Sequence, residues 1–116
     1  MTDRELAEKV AEKLGRSMFE TNSCLYIYQK PIGLPTQSAW DYLTQNPEEF
    51  IQFISWPTFG LMIEDTEKRG WRINILRDYI CFYNFEKMSG STPEYLTTEH
   101  GHIKACAYAF LGTFDD

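Results

Sequence analysis

This sequence contains no apolar run approaching the ~20 residues that a membrane-spanning helix needs, because charged or polar residues interrupt every candidate. It has no CxxC pair, and its cysteines, Cys24, Cys81 and Cys106, are odd in number. A disulfide framework is therefore not expected, and a reducing cytoplasm is. No charged-then-apolar leader opens the chain, which points the same way. Glycine-rich phosphate loops, Walker patterns, paired catalytic carboxylates and GxSxG elbows are missing too, which counts against an enzyme. Positive charge is in short supply, with 11 Lys and Arg against 17 Asp and Glu and a formal net charge of −6. Nucleic-acid affinity comes largely from counterions released by Lys and Arg, so no nucleic acid and no membrane are expected as partners.

What the chain has is aromatic and apolar weight. Its 116 residues are 43% hydrophobic, 16% aromatic and 24% charged, as in a folded globular protein. The length suits a single domain over residues 1–116. The opening "MTDRELAEKVAEKLG" predicts an amphipathic helix, with Leu6, Val10 and Leu14 on one face beside Ala7 and Ala11. Thr2 followed by Glu5 is a capping-box spacing, and Gly15 suits the left-handed close. "LYIY" from Leu25 predicts a strand, and Pro31, Gly33 and Pro35 a loop. "SAWDYLTQN" and "NPEEFIQFISWP" predict two helices, the second starting at Asn46, burying Phe50, Ile51 and Ile54, and ending at Pro57.

From Thr58 the apolar period reads as two. Phe59, Leu61 and Ile63 alternate, then Trp71, Ile73 and Ile75, then Ile80 and Phe82, which predicts three strands in an antiparallel meander. "EDTEKRG" is the expected connection between the first two, and Arg77 with Asp78 the turn into the third, although a single bent strand from Trp71 to Phe85 also fits. A loop follows, and then a helix with Ile103, Cys106, Ala107, Phe110 and Leu111 on one face, capped by Thr97 or Thr98. The expected fold is α/β of the α+β kind, a small antiparallel sheet covered by helices.

The order of "ELAEKVAEKLG", "SAWDYL", "GWRINI" and "HIKACAYAFLG" resembles small bacteriophage and prophage proteins of the phage ABA sandwich family, from about Glu5 to Gly112. The resemblance implies a three-layer α-β-α sandwich in the cytoplasm of a bacterial host, and it implies no particular activity. The chain departs from that pattern in the extra helix expected at "NPEEFIQFISWP".

Glu99, His100, His102 and Cys106 concentrate potential zinc ligands. Positions two apart on a helix diverge by about 200°, so only His102 and Cys106 share a face, and His100 joins them only if Gly101 breaks the helix. The plainer reading makes Cys106 part of the apolar stripe and the histidines a solvated first turn, with no cofactor. Cys106 beside a histidine is also the one candidate nucleophile pair close in sequence. Arg69, Trp71, Arg72 and Arg77 cluster basic and aromatic character, and on an uncovered sheet face Arg72, Asn74, Arg77 and Tyr83 would line a surface for a nucleotide-like ligand. Trp40 and Trp56 are candidate interface anchors. The leading expectation is a non-enzymatic phage or prophage accessory protein that binds a host or phage protein or self-associates into a homo-oligomer. Sequestration of a small molecule and metal-dependent hydrolysis are the alternatives.

Overall fold

Thr2 starts the first helix for a local chemical reason. Its backbone is extended (φ −74°, ψ 162°), its Oγ1 accepts the Glu5 N–H at 3.2 Å, and its hydroxyl donates to Glu5 Oε1 at 3.1 Å. An otherwise orphaned N–H of the first turn is satisfied in this way. Helix α1, Asp3–Lys13, then runs to Leu14, and Gly15 at φ 71° closes it. Gly15 N–H donates to Glu12 O at 3.1 Å and Arg16 N–H to Ala11 O at 2.8 Å, the paired bonds of a Schellman close. The computed structural model describes residues 1–20, 24–28, 45, 50–84 and 90–114, which fall into two compact units, Met1–Thr58 and Phe59–Asp116. The strand-and-helix content is that of the expected α+β class, with antiparallel sheets throughout.

In the first unit α1 packs on an antiparallel sheet of β1 (Met18–Glu20), β2 (Leu25–Tyr28) and β3 (Phe50–Gln52), in that order. Ile27 pairs with Met18 on one side and Ile51 on the other. Leu6, Ala7, Val10 and Ala11 of α1 are buried, as are Ile27, Tyr28, Phe50 and Phe53. Tyr28 and Phe50 hold their rings 4.9 Å apart across the β2–β3 pair.

Two sequence expectations are corrected between residues 50 and 68. Phe50–Gln52 is a strand, not part of a helix, and Trp56–Lys68 is a helix, α2, where Phe59, Leu61 and Ile63 suggested a strand. "FIQFI" is β-branched and aromatic, so it fits a pleated surface as well as a helix, and pairing with β2 decides between them. Pro57 does not end a helix but sits in the first turn of one, where its missing N–H costs nothing. Ser55 Oγ and Thr58 Oγ1, the latter at 2.8 Å, both donate to Gln52 O and fix the strand-to-helix corner. Thr58, Phe59, Met62 and Thr66 are the buried residues of α2, and the buried Thr66 hydroxyl is satisfied by the Met62 and Ile63 carbonyls. Of the stretch read as a polar connection, Glu64 to Gly70, the part from Glu64 to Lys68 forms the last turns of that helix, tied by Lys68–Glu64 at 3.3 Å.

In the second unit Gly70 (φ 87°) turns the chain from α2 into β4, Trp71–Ile75, which pairs with β5, Tyr79–Asn84. The two form a hairpin, not one bent strand: Leu76 N–H donates to Tyr79 O at 2.9 Å around Arg77 and Asp78. The far edge is β6, Tyr95–Leu96, inside a segment read as loop. Between the Ile80–Tyr95 pair and the Tyr83–Ser91 bridge the edge chain carries one residue more than β5. This is a bulge, and Pro93 lies in it, as Pro does at sheet edges. Thr92 replaces the lost ladder geometry, donating its N–H to Phe82 O at 2.8 Å and accepting the Phe82 N–H on Oγ1 at 2.9 Å.

The final helix is corrected in its start. Neither Thr97 nor Thr98 caps it. Instead α3, Thr97–His100, ends at Gly101, and α4, His102–Gly112, begins beyond it. Ile103, Ala105, Cys106, Ala107, Ala109 and Phe110 of α4 are buried, and α4 packs on β5. At its end Arg69 joins α2 to α4, with Nε 2.9 Å from Asp65 Oδ2, Nη2 2.9 Å from Thr113 Oγ1, and its guanidinium 3.8 Å from the Phe114 ring centroid.

Gly101 has φ 80° and ψ 161°, a conformation essentially reserved for glycine, yet a methyl group there would meet nothing within 4 Å. Gly101→Ala is therefore expected to cost about 1–3 kcal/mol through backbone strain alone. Gly60→Ala, in the interior of α2 with equally open surroundings, is expected to be neutral or to stabilise by up to ~1 kcal/mol. Urea unfolding of the two variants checks the contrast.

Candidate functional site

The hairpin bond from Leu76 to Tyr79 sets the phase of the whole β4–β5 ladder. Bonded pairs alternate along an antiparallel ladder, so Asn74–Cys81 and Arg72–Tyr83 are the other hydrogen-bonded pairs. Side chains alternate likewise. Ile73, Ile80 and Phe82 share the face that α4 covers, and Tyr95 of β6 stacks there on Tyr108 of α4 at 5.5 Å. The other face carries three cross-strand rows: Leu76, Tyr79 and Leu96 at the turn end, then Asn74 and Cys81, then Arg72, Tyr83 and Ser91.

Three of the four residues expected to line a ligand surface are thus brought together. Arg72 lies directly opposite Tyr83, with Asn74 one row along, whereas Arg77 stands in the turn at the other end of the hairpin. Arg72 Nη1 donates to its neighbour's carbonyl, Trp71 O, at 2.9 Å. Burial and then the charge of Glu94 push the Cys81 thiol up, while a hydrogen bond from Asn74 acts against them. Partial burial, Glu94 and Cys81 raise the Tyr79 hydroxyl in the same way. A negative charge therefore stands beside the middle of this face, and Arg72 marks its opposite end.

The apolar row at the turn end is the part that sequence reasoning missed. Leu76 is 41% exposed and Leu96 45%, and Ile75 at the strand edge is 51% exposed. Alternation places Ile75 on the core side, but alternation says nothing about whether the strand is an edge. Leu96 falls in a stretch too short to show a period. Of the two tryptophans expected as interface anchors, Trp56 is 65% exposed at the start of α2, beside Ile54 at 47%, and Trp40 lies outside the described residues.

The residues proposed as metal ligands are separated by Gly101, which does break the helix. His100 ends α3 with its ring 4.9 Å from that of Tyr108 and 6.4 Å from that of Tyr95. His102 is exposed at the start of α4. Cys106 is fully buried on the apolar stripe, and burial pushes its thiol up to about 12, so it is protonated at neutral pH and a poor nucleophile. Among the described residues no three His, Cys, Asp or Glu side chains group as a metal site requires. No described helix is long and apolar enough to cross a membrane. Comparison of the chain with protein-family models, with curated proteins and with solved structures returns no match.

Proposed function

We propose that this chain is a non-enzymatic binding protein that works through protein contacts, an accessory protein of phage or prophage origin in keeping with its resemblance to phage ABA sandwich proteins. One observation carries the reading: the large apolar side chains of Leu76 and Leu96 stand exposed in one cross-strand row at the turn end of the second unit's sheet, with Ile75 exposed at the strand edge on the opposite face. Clustered exposed apolar residues mark interaction surfaces more than catalytic ones. The reading is tested with a photo-crosslinking side chain at Leu76 and, as control, at the exposed Glu12 of α1. Protein adducts are expected from position 76 and not from position 12. Equal yields at both, or none at 76, overturn it.

A second reading, an anionic small-molecule binder, draws on the Arg72–Tyr83 pair with Asn74 beside it. A nucleotide panel measured by thermal shift decides this one. A shift abolished by Arg72→Ala supports it, and no shift with any ligand ends it.

A further inference from the structure

The phase of the β4–β5 ladder also fixes what β4 presents on its outer side. Since Arg72 and Asn74 bond inward to β5, the N–H and C=O groups of Trp71, Ile73 and Ile75 point away from the sheet. The Trp71 carbonyl is held by Arg72 Nη1. The N–H and C=O of Ile73 and Ile75 have no hydrogen-bond partner among the described residues. Among the described residues β4 is one edge of this sheet, and beyond the Arg72 guanidinium on the Trp71 carbonyl it carries no feature that discourages pairing. The opposite edge is short, bulged and contains Pro93, all features that discourage strand addition, whereas "WRINI" is unbroken and carries no proline, lysine or acid.

We propose that β4 is the edge through which two copies of this chain pair, antiparallel about a two-fold axis at Ile73, joining their second-unit sheets into one. The proposal rests on the binding reading above and names the partner. The sequence of β4 selects the register. Centred on Ile73, every outward N–H meets an outward C=O: Ile73 lies opposite Ile73 of the partner subunit, and Trp71 opposite Ile75 of the partner subunit. The half-exposed Ile75 then gains an aromatic cross-strand neighbour, a favourable pairing on a sheet face. On the other face Arg72 falls beside Asn74 of the partner subunit. A slip that keeps outward groups in phase places Arg72 against its own counterpart, which like charge disfavours, or leaves Trp71 without an apolar partner. The symmetry is that of most small homo-oligomers, in which one self-complementary patch meets itself.

Sedimentation velocity of the full chain across a concentration series tests this, together with hydrogen exchange at the Ile73 and Ile75 amides. A concentration-dependent dimer is expected, with those two amides slowed at least about tenfold in the dimer relative to the dilute monomer. Ile75→Lys puts a charge on a side chain that is 51% exposed in the monomer, so the fold is expected to persist while dimerisation weakens by tenfold or more. Ile75→Val retains the dimer. A monomer at every concentration overturns the proposal, as does a dimer in which the Ile73 and Ile75 amides exchange freely or Ile75→Lys has no effect. Should the chain stay monomeric while position 76 still crosslinks to other proteins, the pairing is refuted and the binding reading stands. A dimer with no crosslink at position 76 refutes the site of the binding reading alone.

Discussion

Replacing Phe82 by alanine is expected to remove about 3–5 kcal/mol of folding stability, and replacing Tyr83, the next residue on the same strand, no more than about 1 kcal/mol. The two side chains point to opposite faces of β5. Phe82 is fully buried on the face of β5 that α4 covers, where a close-packed interior leaves truncation to open a cavity. Tyr83 is 38% exposed on the face with Arg72. Urea denaturation of both variants measures the contrast, and ligand or partner binding by Tyr83→Ala then becomes interpretable because the fold is intact. Equal losses would mean that both faces of β5 are core, and that Arg72, Asn74 and Tyr83 line no accessible surface. The contrast therefore tests the register and the candidate site together.

How far the sequence led depends on how many independent signals each segment carries. α1 is legible because cap, apolar stripe and glycine close agree within its first fifteen positions: Thr2 with Glu5, Leu6 with Val10, and Gly15. β4, β5 and α4 are legible because each is long enough to show its period. Residues 50–63 mislead because short apolar runs satisfy two periods at once: Phe59, Leu61 and Ile63 alternate, yet Phe59, Met62 and Thr66 are spaced for a helix and, with Thr58, are the residues that the helix buries. Pro57 is equally ambiguous, since proline precedes helix interiors as well as ending them. β1 and β6, only a few residues each, have no period to read, and pairing alone creates them.

The site shows the same division. That His100 and His102 diverge on a continuous helix, and that Cys106 belongs to the apolar stripe, both follow from helical spacing, whereas the sequence left open whether Gly101 breaks the helix, as it does. That Ile75 is exposed does not, because its exposure comes from the position of β4 at a sheet edge. Edge position is set by which strands pair, a long-range outcome absent from any window of the sequence. The turn was undecided for a related reason: Arg77–Asp78 lacks the Asn-Gly signal of a tight hairpin, and the ladder on both sides imposes it instead.

Between pH 9 and 12 the chain is expected to lose stability through Cys106, on top of whatever else titrates there. Burial pushes this thiol from 9.0 up to about 12 in the folded protein, while an unfolded chain ionises it near the ordinary value. Above that value the unfolded state holds fewer protons than the folded one, so stability is fully present below pH 9 and falls as pH rises toward 12. The slope is about 1.4 kcal/mol per pH unit, and the accumulated loss approaches about 4 kcal/mol at the upper end. The raised Tyr26 and Tyr79 hydroxyls and the Cys81 thiol act in the same direction, so the whole protein will soften in alkali whatever Cys106 does. The informative quantity is therefore a difference. Cys106→Ala is expected to be less stable at pH 7, because it opens a small cavity under α4, yet its stability should decline less steeply above pH 9, so that the two unfolding curves converge. Parallel pH profiles for the two proteins would show that the Cys106 thiolate is reached by solvent or by a cation in the folded state. In that case burial alone would not set the state of the thiol, which would ionise near its ordinary value in the folded protein as well.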